Sequence, residues 1–212
     1  MINVVICDDH ALVRRGIRQT LGEAVDIRVT AEAASYAEVR ELLRNNTPCD
    51  VLLLDLGLPG RSGLEVLSAI LADGETPIRV LVVSMFTEEQ YAIRCLKAGA
   101  QGFVSKAGDP AELIAATRTV AYGRKHVTPE LAQMLADSVS RPTEAAAPHT
   151  VLSDRELQTL VMIASGKRLS SIAEELMLSP KTVSVYRSRV LEKLNLANNA
   201  AITVYAIRNN LV

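Results

Sequence analysis

Five short apolar runs recur between residues 2 and 105. Runs of this kind predict buried strands, and they cover Ile2–Cys7, Ile27–Ala33, Val51–Leu54, Arg79–Ser84 and Gly102–Ser105. An amphipathic stretch typical of a helix follows each run, at about Ala11–Leu21, Tyr36–Asn45, Gly63–Ala72, Glu88–Ala98 and Ala111–Tyr122. Five strand–helix units in a row predict an α/β fold, a doubly wound five-stranded parallel sheet with helices on both faces.

The last part of the chain has a different pattern, because residues 151–212 contain no strand signal. Ser153 and Glu156 form the pattern of a capping box at the start of one helix. Ser179-Pro180 starts another, with serine at the cap and proline at the first helical position. We expect a second, smaller all-α domain of four helices, two of which are joined tightly enough for a helix-turn-helix.

Between these parts lies a segment without the strand–helix rhythm. An amphipathic helix is predicted at about residues 130–138, and a stretch rich in proline and alanine follows it. The predicted domains are therefore residues 1–122, a linker over residues 123–150, and residues 151–212.

Charge separates the same two parts. Residues 1–140 hold 18 acidic and 14 basic residues, whereas residues 150–212 hold 5 acidic and 8 basic residues. This difference weakly favours nucleic acid as a partner of the last domain. The start of the chain has no signal-peptide pattern and no stretch is long enough to span a membrane, so we expect a cytoplasmic protein without membrane contact. Three cysteines without close pairing indicate neither a disulfide framework nor a zinc site.

Five side chains with useful chemistry stand at or just after the ends of predicted strands, namely Asp8, Asp9, Asp55, Ser84 and Lys106. The carboxyl ends of parallel strands share one edge of a sheet, where ligands bind in open α/β folds. Carboxylates gathered there repel one another unless a cation lies between them, and Mg²⁺ prefers such oxygen ligands. With an ammonium and a hydroxyl beside it, Asp55 could act as the nucleophile that accepts a phosphoryl group.

Each aspartate taken alone is more often a helix cap or a turn residue, and only the group of five favours a site. We expect His10 to lie in solvent at a helix start rather than to bind the metal.

The first domain resembles the receiver domain of bacterial two-component response regulators, with its flavodoxin-like (CheY-like) fold. The matching stretches are Cys7–His10, Asp55–Gly63, Val82–Ser84 and Lys97–Lys106. The resemblance implies that a sensor histidine kinase phosphorylates Asp55. It implies that Asp8, Asp9, Asp55 and the Gly57 carbonyl hold Mg²⁺, that Lys106 stabilises the phosphoryl group, and that Ser84 and Phe103 form a switch pair. Phe103 stands where tyrosine is frequent, so the switch would depend on packing alone.

The third helix of the second domain has two distinct faces when it is projected at 100° per residue. Val183, Val190 and Leu194 form a stripe that should pack on the other helices. The opposite face carries basic, hydroxyl and small apolar side chains: Lys181, Ser184, Val185, Ser188, Arg189 and Glu192. Such a face suits the phosphates and base edges of a DNA major groove, although an ordinary solvated face is an equal alternative.

The stretch Leu152–Leu196 resembles the LuxR family helix-turn-helix, and the whole chain resembles a NarL/FixJ-type response regulator. The residues expected to contact double-stranded DNA are Lys181, Thr182, Ser184, Val185, Arg187, Ser188 and Arg189. Arg187 lies near the buried stripe and should extend outward. Arg168 and Ser171 depart from the usual serine and glutamate, which weakens the cap of the second helix. Ser184 and Tyr186 replace a frequent lysine and histidine.

These patterns favour a regulator in which phosphorylation of Asp55 controls sequence-specific DNA binding, rather than an enzyme. The resemblance implies a homodimer in the active state, with the helix from Asn199 to Arg208 as its contact. A Mg²⁺-dependent phosphatase with an aspartate nucleophile is a weaker alternative, because such enzymes usually want a second acid where Gly57 stands. A regulator that recruits a protein partner and never binds DNA is another.

Overall fold

The five apolar runs form one parallel sheet with the predicted limits. Its strands are β1 (Ile2–Cys7), β2 (Ile27–Ala33), β3 (Val51–Leu54), β4 (Arg79–Ser84) and β5 (Gly102–Ser105). They lie side by side in the order β2-β1-β3-β4-β5. This order reverses direction next to β1, as doubly wound folds do, so the predicted fold class is confirmed.

The structure is a computed structural model that describes residues 1–58, 62–72, 78–85, 88–140, 148–209 and 211–212. Those residues form two compact units, Met1–Ala132 and Gln133–Val212. The helices of the first unit that alternate with the strands are α1 (Ala11–Gly22), α2 (Tyr36–Arg44), α3 (Gly63–Ala72), α4 (Glu88–Lys97) and α5 (Pro110–Ala121).

The register of the sheet brings the ends of its central strands level. Cys7 at the end of β1 pairs with Leu54 at the end of β3, and Ser84 of β4 pairs with Ser105 of β5. The backbone amide of Asp55 donates to the Cys7 carbonyl at 2.9 Å, so the first residue beyond β3 still lies beside β1. The residues that follow these strands therefore meet at one edge.

The core of this unit follows from strand periodicity. Alternate residues of a strand face the same side, and one side of this sheet packs on α1 and α5. The buried cluster there includes Val4, Ile6, Leu53, Val83 and Val104 from the strands, with Ile17, Leu21, Leu113, Ala116 and Val120 from the two helices. All four residues of β3 are buried, as its continuous apolar run predicts.

The second unit contains only helices among the described residues. After a short 3₁₀ helix, Pro148–Val151, come α7 (Asp154–Ala164), α8 (Leu169–Glu175), α9 (Pro180–Lys193) and α10 (Asn199–Arg208). The predicted capping box at Ser153 is present, with both its hydrogen bonds. Ser179 caps α9 ahead of Pro180, whereas Arg168 gives α8 no side-chain cap, which confirms both expectations.

The predicted linker is only partly described. The helix α6 spans Pro129–Ser140, and Leu131 near its start is fully buried. The boundary between the compact units lies inside this helix, within the predicted linker. Before it, His126 forms a parallel bridge with Gly102 at the edge of the sheet. The proline- and alanine-rich residues 141–147 lie outside the described residues, as do residues 59–61 after β3.

Candidate functional site

Three of the five predicted site residues form an ion-paired cluster at the carboxyl edge of the sheet. The Lys106 Nζ lies 2.6 Å from Asp8 Oδ2 and 2.9 Å from Asp55 Oδ2. The three side chains are 7%, 1% and 5% exposed, so the charges are almost fully removed from water. Two buried carboxylates with one ammonium leave an excess negative charge, which favours a further cation.

The turn between β1 and α1 adds oxygen ligands to this cluster. Asp8 Oδ1 accepts a hydrogen bond from the His10 backbone amide at 2.8 Å, and Asp9 lies at the rim. Asp8 Oδ2 and Asp9 Oδ1 are buried, and each lies close to a nitrogen, Lys106 Nζ at 2.6 Å and His10 Nδ1 at 2.7 Å. Ligand atoms of Asp8, Asp9, His10 and Asp55 all lie within 4.8 Å of one another. Buried carboxylate oxygens in this spacing, with more negative charge than Lys106 neutralises, fit a hard divalent cation.

His10 has the exposed position that the sequence predicts. Its side chain is 64% exposed, and its Nδ1 lies 2.7 Å from Asp9 Oδ1. The residue stands at the cap of α1 without a side-chain hydrogen bond to the helix. The oxygens therefore remain the better ligands for a magnesium ion.

The environment of Asp55 controls its charge. Burial raises the pKa of this carboxyl above its ordinary value, and the nearby Asp8 adds to the effect, while Lys106 and a hydrogen bond from the Gly57 backbone oppose it. Lys106 thus helps to keep Asp55 anionic, as a nucleophile must be. A Cβ on residue 57 would lie only 3.0 Å from Asp55 Oδ2, so glycine leaves space beside this oxygen.

The predicted switch residues lie on the two neighbouring strands. Ser84 ends β4 and is buried, and its carbonyl accepts the Lys106 backbone amide at 2.8 Å. Phe103, on β5 opposite Val82, is fully buried. Ser84 is therefore tied through one backbone hydrogen bond to the residue that contacts Asp55, while Phe103 faces the interior.

The structure separates the two faces of α9 as the helical projection predicts. Val183 and Val190 are buried. Exposed side chains cover the other face, at Lys181, Ser184, Val185, Ser188, Arg189 and Glu192. A row of basic, hydroxyl and apolar groups along an exposed helix can approach phosphates and base edges.

Two predicted contact residues of α9 are already engaged within the unit. The Thr182 Oγ1 lies 2.7 Å from Ser179 Oγ at the start of the helix. The Arg187 Nε donates to Asn199 Oδ1 of α10 at 2.5 Å, so this arginine ties the two helices together. The sequence pattern gives no signal for that contact, because the two residues belong to different helices.

Another contact that the sequence analysis missed lies behind the acidic cluster. Arg14 of α1 donates from Nη1 to the Asp8 backbone carbonyl at 2.7 Å. An arginine on an amphipathic helix is usually interpreted as a surface residue, so no local signal marks it.

A parallel α/β unit with this acidic edge, followed by a helix-turn-helix unit, defines a receiver-type regulator. Residues 4–118 match the family described as "Response regulator receiver domain", and residues 150–206 match "Bacterial regulatory proteins, luxR family". The chain therefore belongs to the two-component response regulators that carry a LuxR-type helix-turn-helix domain.

The similar proteins cover all or nearly all of the chain. Response regulator UvrY of Escherichia coli (strain K12) is 38% identical over 211 residues, which span 100% of this chain and 96% of the relative. Response regulator GacA of Pseudomonas aeruginosa is 36% identical over 212 residues, with 100% and 98% covered. RcsB of Salmonella enterica serovar Typhimurium, solved bound to promoter rprA with the phosphomimetic BeF3-, is 25% identical with a TM-score of 0.64, and the match covers 96% and 97% of the two chains.

Within the described part of the chain, no helix combines the length and apolar character that a membrane crossing requires.

Proposed function

We propose that Asp55 is the residue that a sensor histidine kinase phosphorylates, and that this modification controls binding of the LuxR-type domain to double-stranded DNA. The observation that carries the proposal is the buried cluster in which Lys106 Nζ contacts both Asp8 and Asp55. The membership of the response regulators supplies the kinase as the partner class. We expect the protein to act in the cytoplasm, where such a kinase domain and DNA are both accessible.

In the proposed reaction an oxygen of the Asp55 carboxylate attacks the phosphorus of a phosphohistidine. The P–N bond breaks, the imidazole leaves, and Asp55 becomes an acyl phosphate. The Lys106 ammonium, 2.9 Å from Asp55 Oδ2, stabilises the charge on the phosphoryl oxygens. The missing side chain at Gly57 leaves room beside the same oxygen.

We propose Asp8, Asp9, Asp55 and the Gly57 carbonyl as the ligands of Mg²⁺. The carboxylate oxygens of Asp8, Asp9 and Asp55, which lie within 4.8 Å of one another, support this choice. When bound, the ion neutralises charge on the phosphoryl group during transfer. The carboxylates in turn hold negative charge at the position that the ion requires.

The response of the receiver domain would pass through Ser84 and Phe103. A phosphoryl group on Asp55 would offer new acceptors for the hydroxyl of Ser84, which ends the strand next to β3. Movement of Ser84 changes the packing next to Phe103, which carries no hydroxyl and responds by packing alone. Such local changes shift the populations of inactive and active states.

Phosphorylation would control DNA binding by the exposed face of α9. The proposed contacts on this face include Lys181, Val185, Ser188 and Arg189. The match to the LuxR-type family and the structure of RcsB on a promoter support this assignment. Another solved structure contains two RcsB dimers on two DNAs, which supports a homodimer as the active form. For this chain, α10 is the proposed dimer contact, because Val204 and Ile207 are exposed on it.

The proposal is tested by incubating the full chain with Mg²⁺ and a small acyl-phosphate donor and measuring its intact mass. The wild type should gain one phosphoryl group, and Asp55→Asn should gain none. Asp109→Asn is a matched control, because asparagine caps α5 as well as Asp109 does. Uptake by Asp55→Asn at the wild-type level would move the phosphorylation site elsewhere.

The same experiment separates the proposal from phosphatase activity. A phosphatase would release phosphate from the donor over many cycles, and little of the protein would carry the added mass of a phosphoryl group. Gly57, two residues after the nucleophile, has no side chain to act as the general acid of such a cycle. We therefore expect the protein to keep one phosphoryl group per chain.

A further inference from the structure

Arg14 contacts the acidic cluster through the backbone carbonyl of Asp8 rather than through a carboxylate. Its Nη1 donates to the Asp8 carbonyl at 2.7 Å, and its Nε donates to Glu32 Oε2 at 3.3 Å. The other oxygen of Glu32 pairs with Arg18 Nη1 at 3.0 Å. The Arg14 side chain is only 18% exposed, so its position is well restrained.

The polar atoms of Asp8 show what this contact achieves. The backbone amide donates to Ala33 O at 3.1 Å, the backbone carbonyl accepts from Arg14, and Oδ1 accepts from the His10 amide at 2.8 Å. Oδ2 is buried and lies 2.6 Å from Lys106 Nζ, in the ion pair that joins Asp8 to the cluster. The contacts of these three atoms thus direct the remaining oxygen, Oδ2, toward Lys106 in the cluster.

We propose that Arg14 is a positioning residue that holds Asp8 in its metal-binding orientation, with Glu32 as the group that aligns the guanidinium. This inference rests on the proposed role of Asp8 as a Mg²⁺ ligand. Groups that orient ligands from behind commonly change metal affinity when they are removed. Arginine suits the position, because its planar fork reaches a carbonyl and a carboxylate at the same time, whereas lysine presents a single point charge.

Charge and orientation predict opposite signs for the loss of Arg14. A cation near a metal site repels the metal, so its removal by itself would tighten binding. Loss of orientation would weaken binding instead. Arg14→Lys keeps the charge and loses the fork, so it should resemble Arg14→Gln if orientation matters and resemble the wild type if only charge matters.

The experiment measures Mg²⁺ binding to the unphosphorylated full chain. The rise in unfolding free energy with Mg²⁺ concentration gives the Kd, because a ligand that binds only the folded state stabilises it by RT ln(1 + [Mg²⁺]/Kd). We expect Arg14→Gln and Arg14→Lys each to raise the Kd by about 10-fold. Phosphorylation from a small donor at saturating Mg²⁺ should then recover to near the wild-type rate.

Two further variants serve for comparison, one as a control and one as a test of the contribution of Glu32. The neighbouring Arg15 is exposed on the same helix, so Arg15→Gln should leave the Kd unchanged. Glu32→Gln removes the negative charge that holds the guanidinium but leaves the contact of Arg14 with Asp8, and should give a smaller increase. This variant and Arg14→Lys keep the inference testable if Arg14→Gln fails to fold.

Unchanged Kd values in both Arg14 variants, with or without a lower melting temperature, would show a purely structural contact and overturn the inference. Tighter binding in Arg14→Gln would also overturn it. Asp9→Ala serves as the reference for the metal site itself. If Asp9→Ala also keeps the wild-type Kd, the proposed metal site is wrong, whereas a weakened Asp9→Ala beside unchanged Arg14 variants rejects the role of Arg14 alone.

Discussion

Among the described residues, three that are not glycine have positive φ angles, and their side chains differ in how well they tolerate this backbone conformation. Asn46 and Asn195 have φ values of 54° and 52°, and asparagine tolerates this region. Met177 has φ of 51° at the turn between α8 and α9. It is 70% exposed, so burial of the side chain offsets little of the backbone cost. The turn of the helix-turn-helix therefore contains a locally unfavourable residue.

Replacing Met177 by asparagine should stabilise the helical unit. The expected increase in unfolding free energy is about 1 kcal/mol, the order of the left-handed penalty for a residue with a Cβ. Thermal unfolding of the full chain, followed by far-ultraviolet circular dichroism, measures the effect. Met85→Asn is the control, because Met85 is 71% exposed and lies outside the positive-φ region. An equal gain from both variants, or none from Met177→Asn, would contradict the account.

At the scale of elements, the sequence predicts most of the fold because the signals are local. The apolar run Val51–Leu54 ends at Asp55, and Asp109-Pro110 marks the start of α5 within one residue. The acidic cluster could also be predicted, because parallel strands carry the residues that follow them to one edge. Contacts between elements could not. Arg14 to Asp8 and Arg187 to Asn199 depend on how helices are placed, which periodicity along one helix does not specify.

One contact between elements ties the start of the helical unit to the end of α9. Lys193 Nζ donates to Glu156 Oε2 at 2.7 Å and to the Val151 carbonyl at 3.3 Å. The same Glu156 oxygen accepts the Ser153 amide at 2.8 Å, within the capping box of α7. Although burial acts to raise the pKa of Glu156, the bonds from Lys193 and Ser153 outweigh it and hold the pKa below its ordinary value of 4.5.

A carboxyl whose pKa is lowered by folding adds stability above its unfolded pKa, and this stability is lost as the pH falls through the folded pKa. We expect Glu156→Gln to lower the unfolding free energy by about 1–2 kcal/mol at neutral pH, because it weakens a charge-assisted network. The deficit relative to wild type should shrink as the pH falls below 4.5. Thermal melts of the full chain across this pH range provide the measurement.

The exposed pair Lys167–Glu175 supplies a matched control. Its side chains are 40% and 50% exposed, and exposed pairs contribute little. Glu175→Gln should therefore change stability by less than about 0.5 kcal/mol at any pH in the series. A deficit for Glu156→Gln that stays constant with pH would mean that its charge does not contribute as described.

The exposed face of α9 makes a prediction of its own. Lys181→Ala and Arg189→Ala should weaken binding to all duplexes and reduce the salt slope by about one, because each loses a phosphate contact. Val185→Ala and Ser188→Ala should instead change preference by roughly 1–3 kcal/mol at one base pair. Binding titrations at several salt concentrations, on a selected and a scrambled duplex, distinguish the two classes.

Lys167→Ala is the control for that series, since Lys167 lies outside α9 and is paired with Glu175 of α8. Equal losses on both duplexes for the Val185 and Ser188 variants would mean that α9 enters the groove by another face. A folded chain that binds no duplex would favour recruitment of a protein partner.

At the scale of the whole molecule, the proposed function requires that phosphorylation of one compact unit changes the DNA affinity of the other. Asp55 lies in Met1–Ala132 and α9 lies in Gln133–Val212. Phosphorylation can control DNA binding only if it changes the relative free energies of two states of the protein that differ in their affinity for DNA. Such coupling is reciprocal, so DNA should equally favour the phosphorylated state.

The most direct test is a DNA-binding titration of the full chain, with and without an acyl-phosphate donor in the presence of Mg²⁺. The duplex is one selected from a random library by the phosphorylated wild type. The account predicts that the donor tightens binding of wild type by about 5- to 150-fold, the usual range for such coupling, and leaves Asp55→Asn unchanged. Equal tightening of Asp55→Asn, or no change in a wild type that is fully phosphorylated, would contradict it.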